Sequence, residues 1–238
     1  METLVRAVGA LAFLLVPFAL LVVVNFLRSK PLPPHGVRMP GLAIEFVTTP
    51  GEAEELLGER GAGSDRRAGM REGLNADYVF IAAYWLMFMG TSILLAQRDL
   101  TFSLGQWRLN PSVWLAAAAA LCATGAAIFD LVENSALARL YDAEKITKPL
   151  LDATSGAGSW KWALSFAAIF LLSFTFLRAD FDAVLVLGIL YLLVAVLGWA
   201  GLLYSPRLIE AVFLLIAAGF VLLAVLFTFR TELVLRHL

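Results

Sequence analysis

Six long apolar segments constrain the fold of this chain more than any other feature of its sequence. Each has about the length that an α-helix needs to cross the hydrocarbon core of a bilayer. Hydrophobic residues make up 61% of the 238 residues and charged residues only 16%, an apolar excess over ordinary soluble domains. Backbone polar groups in lipid must be satisfied within the protein, which favours helices. We therefore predict an all-α polytopic membrane bundle with six transmembrane helices: 7–27, 78–97, 112–134, 160–177, 183–204 and 208–229.

The one sizeable polar segment, residues 31–76, separates the first two apolar segments. It begins with proline- and glycine-rich sequence that is typical of turns. Residues 42–47 (LAIEFV) alternate between apolar and other side chains, which predicts a short strand. Residues 65–97 are expected to form one nearly continuous helix that enters the second span. The polar segment is too short and too weakly apolar for a domain of its own, so we predict a small amphipathic cap on the membrane surface.

The middle of this cap has the sequence pattern of a helix N-terminus. Thr49 has the side chain of an N-cap residue, Pro50 suits the first helical position, and Glu52 follows the cap by three residues. Gly58 favours the end of the same helix. The pattern predicts a helix over residues 50–57.

The distribution of lysine and arginine indicates how the bundle is oriented. The segments that follow the first, third and fifth spans carry twelve of these residues, and the opposite side carries six. Basic residues concentrate on the cytoplasmic side of membrane proteins. We therefore predict that both ends of the chain lie outside and that the cap lies in the cytoplasm.

Three polar side chains close the third apolar segment. Asp130, Glu133 and Asn134 are spaced i, i+3 and i+4, so they share one face of a helix. Ionisable side chains at membrane depth are costly, and they mark functional sites or ion pairs. Ala123 and Ala126 lie on the same helix and allow close packing against neighbours. The third span is therefore expected to be an inner helix whose acidic end faces a polar pocket.

The alternation of spans brings polar residues of other helices to the same membrane level. Asn25 ends the first span, Asp77 begins the second, and Tyr84 shares a helical face with Asp77. Lys161 begins the fourth span, and Glu210 lies one turn into the sixth. The predicted ligand-binding residues are Asn25, Asp77, Tyr84, Asp130, Glu133, Asn134 and Lys161.

Several chemistries fit such a pocket. Two carboxylates and an amide offer oxygen ligands for Mg²⁺, and a lysine can hold a phosphate. Two neighbouring carboxylates can also share a proton, because two like charges resist joint ionisation. A purely structural alternative is an ion pair between Lys161 and Asp130 or Glu133 that joins the third span to the fourth. The sequence therefore leaves the metal, the cofactor and any catalytic residue unidentified.

Three functional hypotheses follow. The first is binding of a small ligand or lipid headgroup at the cytoplasmic membrane edge, with membrane lipid as the expected partner. The second is a proton- or ion-coupled transporter, which the almost wholly apolar fifth and sixth spans disfavour. The third is a non-catalytic subunit or assembly partner of a larger membrane complex, or a homo-oligomer. Whether the protein is an enzyme stays open, and a net charge of −1 gives no indication of nucleic-acid binding.

Three short motifs carry a resemblance to other proteins. They are T-P-x-E-A (Thr49, Pro50, Glu52, Ala53), D-Y-x-F-x-x-x-Y (Asp77, Tyr78, Phe80, Tyr84) and D-x-x-E-N (Asp130, Glu133, Asn134). Over about residues 42–165 the chain resembles uncharacterised bacterial multi-span membrane proteins. The resemblance implies a multi-pass protein of the bacterial inner membrane and implies no activity.

Overall fold

The computed structural model describes residues 2–32, 35–58, 65–103, 111–178 and 182–231, and this part of the chain is helical apart from short connections. Six of its helices are long and apolar enough to cross a membrane, so the predicted all-α six-span bundle is confirmed. The helices are α1 (Glu2–Arg28), α2 (Pro40–Glu45), α3 (Pro50–Leu57), α4 (Asp65–Ser103), α5 (Pro111–Asp142), α6 (Lys148–Phe176), α7 (Asp182–Tyr204) and α8 (Pro206–Phe229). The short helices α2 and α3 belong to the predicted cap.

The six long helices close into a ring. Each packs against the next one along the chain, and α8 returns to pack against α1. Contact across the ring is slight, since α4 and α6 meet at only a few positions. Helices in this arrangement enclose a central space, and the ends of α1, α4, α5, α6 and α8 surround it next to the cap.

Glycine allows the closest approach where the ring closes. A Cβ atom on Gly9 of α1 would lie 2.7 Å from the hydroxyl of Thr228 and 2.8 Å from backbone atoms of Phe227 and Thr228 on α8. Between α6 and α7, the ring of Phe166 occupies the place of a side chain at Gly198. Small residues let membrane helices approach until their backbones touch, and dispersion forces then hold them together.

Two expectations about helix ends had different outcomes. The continuous helix over 65–97 is confirmed, because α4 runs unbroken from Asp65 to Ser103. The fourth span was expected to begin at residue 160, but α6 begins at Lys148, which leaves a connection of residues 143–147. Intrinsic helix propensity is weak compared with packing, so the glycines at 156 and 158 do not end the helix.

The strand predicted at residues 42–47 is wrong, because residues 42–45 belong to the helix α2 and Phe46 is its C-cap. A short apolar run does not by itself distinguish a helix from a strand. The start of α2 is capped from another helix: the carboxylate of Glu210 on α8 accepts the backbone N–H groups of Arg38 at 2.6 Å and Met39 at 2.9 Å. This tertiary contact holds the backbone immediately before α2, where Met39 offers no side-chain cap.

The helix predicted over residues 50–57 is confirmed as α3, with the expected cap. The hydroxyl of Thr49 accepts the N–H of Glu52, and the carboxylate of Glu52 accepts the N–H of Thr49. Hydrogen bonding from the backbone of Thr48 lowers the pKa of the exposed Glu52 carboxyl. Gly58 ends the helix with a φ of +78°, which favours glycine. Residues 59–64 of the predicted cap lie outside the described residues.

Replacing Gly9 by Ala tests whether the ring depends on the contact between α1 and α8. The new methyl group would overlap backbone atoms of α8, so we expect a loss of about 1–3 kcal/mol of stability. Thermal unfolding in a mild neutral detergent measures the effect. Gly156→Ala is the matched control, because open space surrounds that position in α6. A Gly9→Ala variant as stable as the Gly156→Ala variant would contradict the closed ring.

Candidate functional site

A cavity of about 570 Å³ lies inside the ring at the end covered by the cap. Side chains of α1, α2, α4, α5, α6 and α8 form its walls. All seven residues predicted from the sequence line this cavity: Asn25, Asp77, Tyr84, Asp130, Glu133, Asn134 and Lys161. Their convergence follows from the alternation of spans, and their role in binding a ligand stays a prediction.

Lys161 lies at the centre of the polar end of the cavity. Its ammonium nitrogen is 3.1 Å from Oε1 of Glu45 and 3.5 Å from Oδ1 of Asp130, and it also contacts Oε2 of Glu133. The side chain of Lys161 is 9% exposed and that of Glu133 is 1% exposed, so the charges are almost fully withdrawn from solvent. The predicted pairing of Lys161 with the acids of α5 is thus present. We call Glu45, Asp130, Glu133 and Lys161 the lysine cluster.

Glu45 is the member of the lysine cluster that sequence reasoning missed. It is the last residue of α2, and its second carboxylate oxygen accepts the indole N–H of Trp162 at 2.6 Å. Burial raises the pKa of Glu45 above its ordinary value, while Lys161 and the Trp162 N–H oppose the rise. The sequence did contain a signal for Glu45: it is a single acid within the otherwise apolar residues 42–47, and a buried charge requires a partner. Glu45 connects the cap to the membrane helices.

Space for the two glutamates comes from a glycine of α6. Gly158, Lys161 and Trp162 are spaced i, i+3 and i+4, so they share one face of the helix. A Cβ atom on Gly158 would lie 2.8 Å from Oε1 of Glu133 and 3.4 Å from Oε2 of Glu45. The absence of a side chain at this position therefore lets both carboxylates reach the lysine.

Two further hydrogen bonds connect the neighbouring helices α4 and α5 at the wall of the cavity. The hydroxyl of Tyr84 donates to Oδ2 of Asp130 at 3.0 Å. The amide of Asn134 donates to Oδ2 of Asp77 at 2.7 Å. Asp77 is thus held by an amide rather than by a cation, and Asp130 is shared between Tyr84 and Lys161.

Other polar groups of the cavity make no hydrogen bond within the described part of the chain. Tyr141, on the last turn of α5, is 4% exposed and lines the cavity, yet its hydroxyl has no partner there. Oε1 of Glu133 is also buried without a hydrogen bond. The side chain of Asn25 lies exposed at the cavity wall. Glu210, expected at the same level, caps α2 instead.

The lining becomes apolar towards the middle of the ring. Phe80 and Phe88 follow Asp77 along α4, and Ile169 follows Lys161 along α6. Phe18 of α1 and Phe220 of α8 complete this part of the wall. The rings of Phe80 and Phe18 lie 5.5 Å apart, and those of Phe80 and Phe220 lie 6.4 Å apart. The cavity is therefore polar beside the cap and aromatic deeper in the bundle.

The polar end can hold cations or hydrogen-bond donors, and comparison with known proteins adds no further assignment. Within the described residues, no group of three or more His, Cys, Asp and Glu side chains has the arrangement of a metal site. No protein-family model, curated protein or solved structure matches the chain. The geometry of the cavity is consequently the basis for the functional argument.

Replacing Lys161 by Met tests the lysine cluster. Without the ammonium, Glu45 and Glu133 would be buried with uncompensated charge, and we expect a loss of about 3–5 kcal/mol. Thermal unfolding in neutral detergent provides the measurement. The matched control is Lys148→Met, which breaks an exposed pair with Asp152 and should cost about 0.5 kcal/mol or less. Equal stability of the two variants would contradict the role of Lys161.

The same variant should show a stronger dependence on pH. Burial raises the pKa of Glu45, so the folded state binds its proton more tightly than the unfolded state, and stability falls as pH increases above the ordinary glutamate range. Removing Lys161 removes an effect that lowers this pKa. The loss of stability between about pH 5 and pH 8 should therefore be steeper in Lys161→Met than in the parent protein. Parallel pH profiles would argue against coupling between Glu45 and Lys161.

Proposed function

We propose that this multi-pass membrane protein lies in a bacterial inner membrane and binds an amphiphilic ligand, such as a membrane lipid, with the polar headgroup at the cytoplasmic edge. The observation that carries the proposal is the change of the cavity lining from charged to aromatic along its depth. The lysine cluster lies beside the cap, and Phe88, Ile169 and Phe220 lie deeper. A molecule with one polar end and one apolar end matches this gradient.

The orientation of the gradient agrees with that of a lipid in one leaflet. On α4 the lining passes from Asp77 through Phe80 and Tyr84 to Phe88, and on α1 it passes from Asn25 to Phe18. Both sequences place polar groups towards the cap and apolar groups towards the membrane centre. The volume of about 570 Å³ falls within the range of small-molecule sites. It holds a headgroup and part of an acyl chain, while the remainder of a lipid would extend into the bilayer.

The exposed residues of the lining indicate where such a ligand enters. Leu21 is 59% exposed although it lines the cavity, and Asn25 beside it is exposed as well. Gly69 and Gly73 of α4 line the same cavity, with open space where a Cβ atom would lie. Together these residues favour an entrance between α1 and α4. An entrance between two membrane helices suits a ligand that arrives from the lipid phase.

Transport across the membrane has less support from the same features. A proton or ion path needs polar groups through the whole thickness of the bundle. Beyond the aromatic part of the cavity, most large buried side chains of the described interior are apolar: Leu94, Leu95, Leu172, Phe176, Leu187, Leu223 and Phe227. The buried polar side chains described there are isolated hydroxyls such as those of Thr91, Ser92 and Thr175, and none of the described buried charged residues lies in this half. We therefore favour a binding site that opens to one side of the membrane.

Blocking the entrance tests the proposal. Gly73→Trp adds an indole at an exposed position of the cavity wall where a Cβ atom would meet nothing within 4 Å, so we expect the protein to fold. Native mass spectrometry after extraction in mild neutral detergent should show a lipid-mass adduct on the parent protein and a large loss of it in the variant. Gly156→Trp is the matched control, because that exposed position of α6 lies away from the cavity lining. An adduct of equal abundance in all three proteins, or none in the parent, would contradict the proposal.

The cytoplasmic location of the cap has its own test. In a Cys122→Ser background, which removes the single cysteine, we expect Glu144→Cys to react with an impermeant thiol reagent only after cells are permeabilised. Arg230→Cys, at the other end of the ring, should react in intact cells. The reverse pattern of labelling would place the cap outside.

A further inference from the structure

We propose that the ligand headgroup carries a protonated amine, which the acidic end of the cavity binds beside Lys161. This inference rests on the proposed function and adds the chemical class of the headgroup. It depends on the charge of the cavity, on the engagement of its lysine and on two polar groups that are left without partners.

The cavity lining contains more acidic than basic side chains. Glu45, Asp77, Asp130 and Glu133 are four carboxylates that line the same cavity, and Lys161 is the lysine among them. Burial penalises every charge that lacks a counter-charge. A cavity with this excess of acids favours a cationic ligand over a neutral one and opposes an anionic one.

The second argument is that Lys161 is already engaged. Its ammonium contacts one carboxylate oxygen on each of Glu45, Asp130 and Glu133. A phosphate would have to displace these carboxylates and would then lie among them, where like charges repel. Arg66, the other basic side chain described in the lining, donates to the carbonyl of Leu56 at 2.8 Å. The same contacts show that the carboxylates are placed at distances suited to an ammonium group.

The third argument is the presence of unused hydrogen-bonding groups. Oε1 of Glu133 is buried and makes no hydrogen bond among the described residues. The hydroxyl of Tyr141, on a residue that is 4% exposed, also makes none within the described chain. Buried polar groups are normally satisfied, so such exceptions indicate a missing partner. An ammonium group has three hydrogen-bond donors, and the carboxylate of Asp77 and the hydroxyl of Tyr141 are acceptors in the lining of this cavity. A headgroup without a cationic amine offers no positive charge to these carboxylates.

The experiment compares headgroups on matched acyl chains. The purified parent protein in neutral sugar detergent is titrated with phosphatidylethanolamine and with phosphatidylglycerol, and bound lipid is followed by native mass spectrometry. We expect a preference of about tenfold or more for the amine-bearing lipid, the magnitude typical of a charge-assisted hydrogen bond. Asp77→Asn, which keeps an acceptor for Asn134, should reduce this preference. Tyr141→Phe should weaken binding of the amine-bearing lipid several-fold, whereas Tyr204→Phe, at an exposed tyrosine, should not.

Single-chain probes identify the source of the amine. Tight binding of dodecylamine but not of dodecanol would support recognition of any amphiphilic amine, and binding of the phospholipid alone would restrict the class to aminophospholipids. If free ethanolamine binds as tightly as the lipid, recognition of the amine is supported, but the proposal that the ligand is amphiphilic is overturned. Equal binding of the two phospholipids, blocked by Gly73→Trp, would overturn the amine inference and leave the proposed function intact. Binding of neither lipid would overturn both.

Discussion

The contact between the Lys161 ammonium and three buried carboxylates is the interaction on which the rest of the structure depends. It joins three separate elements, because Glu45 belongs to α2, Asp130 and Glu133 belong to α5, and Lys161 belongs to α6. A buried ion pair is a poor source of net stability, since desolvation offsets much of the attraction. Loss of one partner nevertheless costs stability, because it leaves the other charge buried and unpaired. The cluster therefore fixes the relative positions of these helices, although apolar packing could stabilise the bundle equally well.

The cap acquires its position from the same kind of contact. Two carboxylates hold the short helix α2: Glu210 accepts the backbone N–H groups at its start, and Glu45 at its end pairs with Lys161 and Trp162. A helix of this length has little stability of its own in water. Tertiary contacts thus place it across one end of the ring. As a consequence the cavity is polar under the cap and aromatic towards the membrane centre, which is the basis of the proposed amphiphile site.

Hydropathy and span alternation were sufficient to predict the architecture and most of the site. Each apolar segment has a length set by the bilayer, and alternating direction brings Asp77, Asn134 and Lys161 to one level without knowledge of packing. Glu45 was not predicted as a site residue, because its apolar run is too short for periodicity to distinguish a helix from a strand. Tyr141 was not predicted as a site residue, because the third span was expected to end at residue 134, whereas α5 continues to Asp142. The closure of α1 on α8 depends on backbone proximity at Gly9, which no local pattern encodes.

A density map of the protein in nanodiscs made with lipids of its own membrane tests the central claim most directly. We expect elongated density inside the ring, with its polar end beside Asp77, Glu133 and Tyr141 and its apolar end between Phe80 and Phe220. We also expect Lys161 to remain in contact with Glu45 and Glu133. Side chains closing the cavity, or Lys161 turned away from the carboxylates of α2 and α5, would contradict both the lysine cluster and the binding site built on it.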